Sequence, residues 1–164
     1  MEHEADPNCT LPPEAPFSKE DLVRHIETDP HFRSSIDEHR LSYRDPRVRS
    51  AVALAPAAGM ALAAESLQHI SVEILILVGD RDAMAPADSN ARRLADLISG
   101  SSIEVLPGVG HYTFLAECGI LGRLVASTLC AEGPGVSRDV IHARVAQRVR
   151  EFFDDTLSTA RRVR

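Results

Sequence analysis

The sequence predicts an α/β fold: a parallel sheet with flanking helices. Short apolar runs occur near residues 48–55, 72–78 and 102–106. Stretches of helical periodicity separate them, and alternation of strand and helix is the pattern of a parallel sheet. The first two runs are nearly continuous in apolar residues rather than alternating, as in strands covered on both faces. With 164 residues the chain is long enough for one domain with a real core.

Residues 1–16 are rich in Pro, Glu and Asp and form an expected irregular lead-in. Residues 17–47 are expected to be a helical segment. Ser18-Lys19-Glu20-Asp21 opens it like a capping box: the Ser18 hydroxyl can accept an orphan N–H and Asp21 can reach back. Leu22, Val23 and Ile26 then share one face. Asp29-Pro30 separates this helix from a second near 31–38, because a residue before proline disfavours helical angles. Arg44-Asp45-Pro46-Arg47 makes a turn.

The main domain is expected over 48–158. Its first strand, apolar from Ala51 to Ala55, stops at Pro56, and a short helix follows near 64–68. The second strand runs over 72–78 to Gly79. A strong helix over 87–98 places Ala91, Leu94, Ala95 and Ile98 on one stripe and stops at Gly100. The third strand, 102–106, leads into Pro107-Gly108-Val109-Gly110. Residues 112–135 read as loop with helical potential over 120–129, ending at Gly133-Pro134-Gly135. Ser137-Arg138-Asp139 caps a last helix, with Val140, Ile141, Val145, Val149, Phe152 and Phe153 expected on its apolar face. Residues 159–164, with Arg161, Arg162 and Arg164, are expected to be a solvated basic tail.

Composition excludes some functions. The chain is 44% hydrophobic and 26% charged, an ordinary globular balance. Aromatic residues make up 4% and Trp is absent, so the core must be built from Ala, Val, Leu and Ile. A net charge of −6 and a pI near 5.6 argue against a nucleic-acid partner, which requires clustered positive charge. No run approaches the ~18–20 apolar residues of a membrane span, so no membrane partner is expected. The acidic N-terminus lacks a signal-peptide pattern, and a cytoplasmic location is expected. The seven histidines and three cysteines (Cys9, Cys118, Cys130) show no metal-ligand spacing, and neither metal nor cofactor is expected. Cys118 and Cys130 flank a Gly-containing segment and could pair in an exported protein; in a reducing compartment they are expected to be partly buried thiols.

The chemistry concentrates in two loops. Gly79-Asp80-Arg81-Asp82 follows the second strand and Gly108-Val109-Gly110-His111 follows the third. Active sites of parallel sheets lie outside the carboxyl ends of the strands. An acid and a histidine placed there are two members of a nucleophile–His–acid triad. Asp82 is the expected acid and His111 the expected base. Asp80 is the rival acid, although its position against the strand end suits a turn cap. Structural alternatives are a turn role for Asp82, paired with Arg81 or capping the next helix, and a backbone-satisfied loop role for His111. The glycines around His111 favour a loop shaped to present it. The third member is missing: no G-x-S-x-G occurs anywhere in the 164 residues. Ser66, Ser71, Ser89, Ser101 and Ser102 lack the glycine-flanked elbow and read as caps or surface hydroxyls, and Cys118 follows His111 too closely.

Together, Ala53-Leu54-Ala55-Pro56, Val78-Gly79-Asp80-Arg81-Asp82-Ala83-Met84-Ala85-Pro86, Asn90-Ala91-Arg92-Arg93-Leu94 and the segment from Leu106 through His111 to Leu115 resemble the C-terminal half of the α/β-hydrolase fold. The resemblance is nearest to dienelactone-hydrolase-like esterases and less close to the platelet-activating-factor acetylhydrolase type. It covers about two thirds to three quarters of the chain and about half of the family's domain. It implies an incomplete α/β-hydrolase fold whose whole form would hydrolyse a small-molecule ester or lactone, with Asp82 orienting His111 and His111 taking the proton of a serine. It also implies that residues 17–47, with Met60, Leu62 and Leu67, act as a cap over the site.

Three readings follow: a hydrolase half that is inactive alone, a binding module that has shed its nucleophile, and a subunit that completes its site with a separate N-terminal half. In this chain the first strand leaves an open, apolar sheet edge, which predicts self-association or aggregation.

Overall fold

The computed structural model describes residues 17–38, 41–57 and 59–162. The expected lead-in at 1–16, with Cys9, and the end of the basic tail lie outside the described residues. The chain divides into two units, Met1–Arg47 and Val48–Arg164.

In the first unit, helices α1 (Lys19–Thr28) and α2 (Pro30–Asp37) meet at Asp29. Ser18 and Asp21 form the capping box: Asp21 N–H donates to Ser18 Oγ at 3.1 Å and Ser18 N–H to Asp21 Oδ2 at 3.0 Å. Those Ser18 hydrogen bonds hold the Asp21 carboxyl below its ordinary range. Asp29 Oδ1 accepts from the N–H groups of His31 (2.8 Å) and Phe32 (3.2 Å), so one residue ends α1 and caps α2. Arg33 donates to the carbonyls of Ile26 (3.0 Å) and Glu27 (2.8 Å). Neither helix has a buried residue, so caps and this arginine hold the pair where a core does not.

The second unit is an α/β fold. Strands β1 (Ser50–Leu54), β2 (Glu73–Gly79) and β3 (Ser101–Leu106) form a parallel sheet in the order β1-β2-β3. Helix α3 (Ala64–Gln68) connects β1 to β2, and α4 (Arg93–Leu97) connects β2 to β3. Helices α5 (Ile120–Val125), α6 (Ser127–Cys130) and α7 (Arg138–Arg162) follow β3. The apolar run of β2 serves both faces of the sheet. Ile76 and Val78 pack with Leu67, Ala91, Leu94 and Ile98. Leu75 and Leu77 point the other way, to Leu106, Val109, Val145 and Phe152. Such two-sided burial is why this strand shows no alternation in its sequence. Strand β1 is equally apolar yet only half-buried, with Leu54 exposed, because it lies at the edge of the sheet.

Several elements depart from expectation. The 87–98 helix opens as a π-turn over Asp88–Arg92 before α4 begins, with Arg92 N–H reaching the Ala87 carbonyl at 2.8 Å. Within this turn Asn90 is buried and turned to hold another segment. Its Oδ1 accepts from Gly59 N–H at 2.8 Å, and its Nδ2 donates to the Pro86 carbonyl at 3.1 Å. Arg93 adds bonds to the carbonyls of Gly59 and Leu62. Leu67 belongs to the core and not to a cap, whereas Met60 and Leu62 are exposed. Val140 is 61% exposed, so the apolar face that α7 packs on the core begins only at Ile141.

Cys118 and Cys130 form a disulfide, with Cα atoms 5.8 Å apart, where thiols were expected; the α5–α6 hairpin folds the two ends of the loop together. Among the described residues no helix is long and apolar enough to cross a membrane.

Asn90→Ala leaves the buried Gly59 N–H without an acceptor and should destabilise the chain by ~1–3 kcal/mol. Urea unfolding should show a lower midpoint at unchanged slope. A loss of only a few tenths would mean that water takes the amide's place.

Candidate functional site

The site is built by two loops that leave the same end of the sheet. Parallel register pairs Val78 with Val105 and Gly79 with Leu106, so β2 and β3 finish level. At that end the backbones touch. A Cβ on Gly79 would fall on the Val109 carbonyl, well inside the 3.0 Å that real Cβ atoms keep. Arg81 N–H donates to the Val109 carbonyl at 3.0 Å, and Asp80 N–H to that of Leu106 at 3.1 Å. Gly108, with φ +76°, turns the second loop back toward the first. Asp80 is absorbed by this joint, its Oδ1 accepting from Gly108 N–H at 2.7 Å.

Asp82 lies two residues further on, with its side chain fully buried. Oδ1 accepts from Ala85 N–H at 2.7 Å, and Oδ2 lies 2.8 Å from His111 Nδ1. A carboxylate opposite Nδ1 fixes the proton on that nitrogen, leaving Nε2 as the basic one. The imidazole is 26% exposed, so the pair is anchored at the acid and open at the base. The structure thus joins Asp82 to His111 and gives Asp80 to the loop joint.

The remaining sequence candidates stand elsewhere. Ser89 Oγ donates to the Pro86 carbonyl, and Ser101 Oγ to those of Ala95 and Ile98. Ser66 lies in α3, Ser102 is an exposed residue of β3, and Ser71 precedes β2 with a polar partner of its own. Cys118 is in the disulfide. Among the described residues no group of three or more His, Cys, Asp or Glu is placed to hold a metal ion.

Four residues around His111 were not visible in the sequence. His111–Phe114 is a 3-10 turn, and its Thr113 is buried. Thr113 Oγ1 accepts from Gly110 N–H at 3.3 Å and donates to Glu132 Oε2 at 2.7 Å. Glu132 is ion-paired with the buried Arg138. His142 Nε2, on α7, lies 2.8 Å from the Thr113 carbonyl, which fixes the proton on that nitrogen. Glu132 and His142 reach Thr113 across 19 and 29 positions, with no motif to mark them.

No protein-family model matches the chain, and no curated protein is significantly similar to it. Among solved structures, the crystal structure of a mutant of a meta-cleavage product hydrolase, CumD, aligns at 22% identity with a TM-score of 0.32. The alignment covers 66% of this chain and 37% of that one, and likeness at this level carries no argument about function.

Gly79→Ala should cost more than ~3 kcal/mol or prevent folding, because the clash is backbone on backbone. Gly119→Ala is the control: nothing lies within 4 Å of the added carbon, and its cost should stay below ~1 kcal/mol. Urea unfolding of both variants checks this; equal losses would rule out the close approach as the cause.

Proposed function

We propose that this chain carries the acid and the general base of a serine-hydrolase-type site, and that the nucleophile and oxyanion hole come from polypeptide outside these 164 residues. The observation that carries this reading is the buried Asp82 carboxylate against Nδ1 of the half-open His111. An acid so placed sets the imidazole tautomer and stabilises its protonated form, while Nε2 takes a hydroxyl proton and returns it to the leaving group. The substrate class is a small carboxylic ester or lactone, of the dienelactone-hydrolase-like kind that the loop motifs resemble. Acid and base without nucleophile and oxyanion donors lose nearly all acyl-transfer rate, so the chain alone is inactive.

The edge of β1 is where the remaining polypeptide pairs. Ala55 N–H donates to the Leu77 carbonyl at 2.8 Å. Backbone groups alternate along a strand, so those of Val52 and Leu54 face away from β2. With that edge unfilled, copies of the chain pair with one another. The Cys118–Cys130 bond favours an oxidising compartment.

The test begins with the reading frame upstream of the Met1 codon. The extended product should contain a G-x-S-x-G elbow and hydrolyse p-nitrophenyl butyrate. His111→Ala and Asp82→Asn should each lower kcat by about 10³-fold or more. Turnover by the 164-residue chain that disappears in His111→Ala would place a nucleophile within it and end this reading, as would an inactive extended product. Sedimentation of the 164-residue chain should show concentration-dependent association. Val52→Pro, which removes one outward N–H and leaves the β2 ladder intact, should abolish it.

A further inference from the structure

The loop that follows the His111 turn is closed twice at its neck. The disulfide joins Cys118 to Cys130. Beside it, the Arg138 guanidinium spans the same gap: Nη1 donates to the Ala116 carbonyl at 2.9 Å and Nη2 to the Leu129 carbonyl at 2.8 Å. The third donor, Nε, goes to Glu132 Oε1. The other carboxylate oxygen, Oε2, takes the Thr113 hydroxyl, and that same hydroxyl accepts the N–H of Gly110, the residue before His111. A continuous chain of hydrogen bonds therefore runs from the disulfide neck to the backbone that presents His111.

The body of the loop contributes little to its own placement. Ile120, Leu121, Leu124 and Val125 of α5 are each more than 70% exposed, and no residue of α5 or α6 is buried. Apolar burial does not hold these helices, whereas the crosslink and the arginine fix both ends of the loop. Arg138 and Glu132, by contrast, are 7% and 16% exposed at their side chains, and a guanidinium so buried is sensitive to where its carbonyl partners sit. Opening the neck would free Ala116 and Leu129 to move, and Arg138 would then hold Glu132 less firmly.

We propose that the Cys118–Cys130 disulfide is a positioning device for His111, acting through Arg138, Glu132 and Thr113. These are positioning residues: none touches the face of the imidazole that a substrate would meet. Reduction by a dithiol breaks the S–S bond; two electrons and two protons pass to the cysteines, giving two thiols, and the dithiol becomes a cyclic disulfide. The expected result is a looser His111 turn in an otherwise folded chain. Its meaning for catalysis rests on the proposed role of His111, but the measurement below reads position and not turnover, so the two can fail separately.

The experiment is hydrogen exchange by NMR on the full chain, labelled with 15N, before and after dithiothreitol. Two sets of signals decide it: the His111 Nδ1–H and Gly110 N–H, and the amides of Leu75–Val78 at the centre of β2. Reduction should speed exchange of the first set on the order of tenfold and leave the second unchanged. Arg138→Lys, which loses the three-way fork, should reproduce this in the oxidised chain, and reducing that variant should add little, because both changes act on one path. Cys118→Ser/Cys130→Ser should behave like the reduced protein; if it does not fold, reduction of the folded wild type decides alone. Unchanged His111 and Gly110 signals after reduction would overturn the proposal. So would a uniform rise that includes β2, which would make the disulfide a general stabiliser.

Discussion

At Gly79 the end of β2 lies against the Val109 carbonyl with no room for a side chain, and the geometry of the site follows from that contact. Parallel pairing alone brings two loops to the same edge of a sheet, but leaves several ångströms of freedom in how they approach. Here the freedom is removed by backbone on backbone, with the Arg81 N–H to Val109 bond and the Asp80 to Gly108 bond locking the joint on either side. Asp82 and His111 then emerge from a single rigid unit. Their 2.8 Å separation needs no long flexible side chain to close it, so the pair is held in one geometry by the backbone beneath it.

The polar groups at this joint divide their work. Two carboxylates sit two residues apart, and burial and partners distinguish them. Asp80 spends its acceptor on a backbone N–H and shapes the loop. Asp82 is buried, and a buried carboxylate must be satisfied or it destabilises the fold. Ala85 N–H satisfies one oxygen and His111 the other. Replacing the imidazole would leave Oδ2 without that partner in a buried setting, so the bond that suits proton transfer also contributes to local stability.

How much was legible in the sequence depends on the range of each interaction. Ser18–Asp21, Asp29-Pro30 and the run from Ile74 to Gly79 act over a few residues, and the capping box, the helix break and β2 all stand where local rules place them. The approach of Asp82 to His111 was legible as well, because two strand ends in a parallel sheet are neighbours whatever lies between. The rest depends on distant partners. Asn90 looks like an ordinary helix residue until Gly59, 31 positions away, is set beside it as the donor to its amide oxygen. Thr113, Glu132, Arg138 and His142 each have an innocuous local reading, and their convergence on one turn is a property of how α7 crosses the sheet. Val140 failed for a simpler reason: a helical stripe read from its first turn assumes that the core reaches that far, and here it starts at Ile141.

The two outer strands show what a central strand acquires from its neighbours. All three strands are short and β1 and β2 are similarly apolar, yet the central residues of β2 are fully buried while β1 stays half-exposed. The difference lies in position: β2 has a strand on each side and a helical layer on each face, whereas β1 has hydrogen-bonding groups at Val52 and Leu54 directed away from the sheet. An apolar strand with an unused edge is costly to leave in water and prone to recruit a partner. The loops bearing Asp82 and His111 gain their order from β2, β3 and α7, without using those outward groups of β1. A polypeptide pairing with β1 would therefore meet an acid and a base already set by contacts it need not supply. That separation is what the proposed division of the site requires: contacts within these 164 residues hold the Asp82–His111 pair, and a nucleophile would have only to reach Nε2.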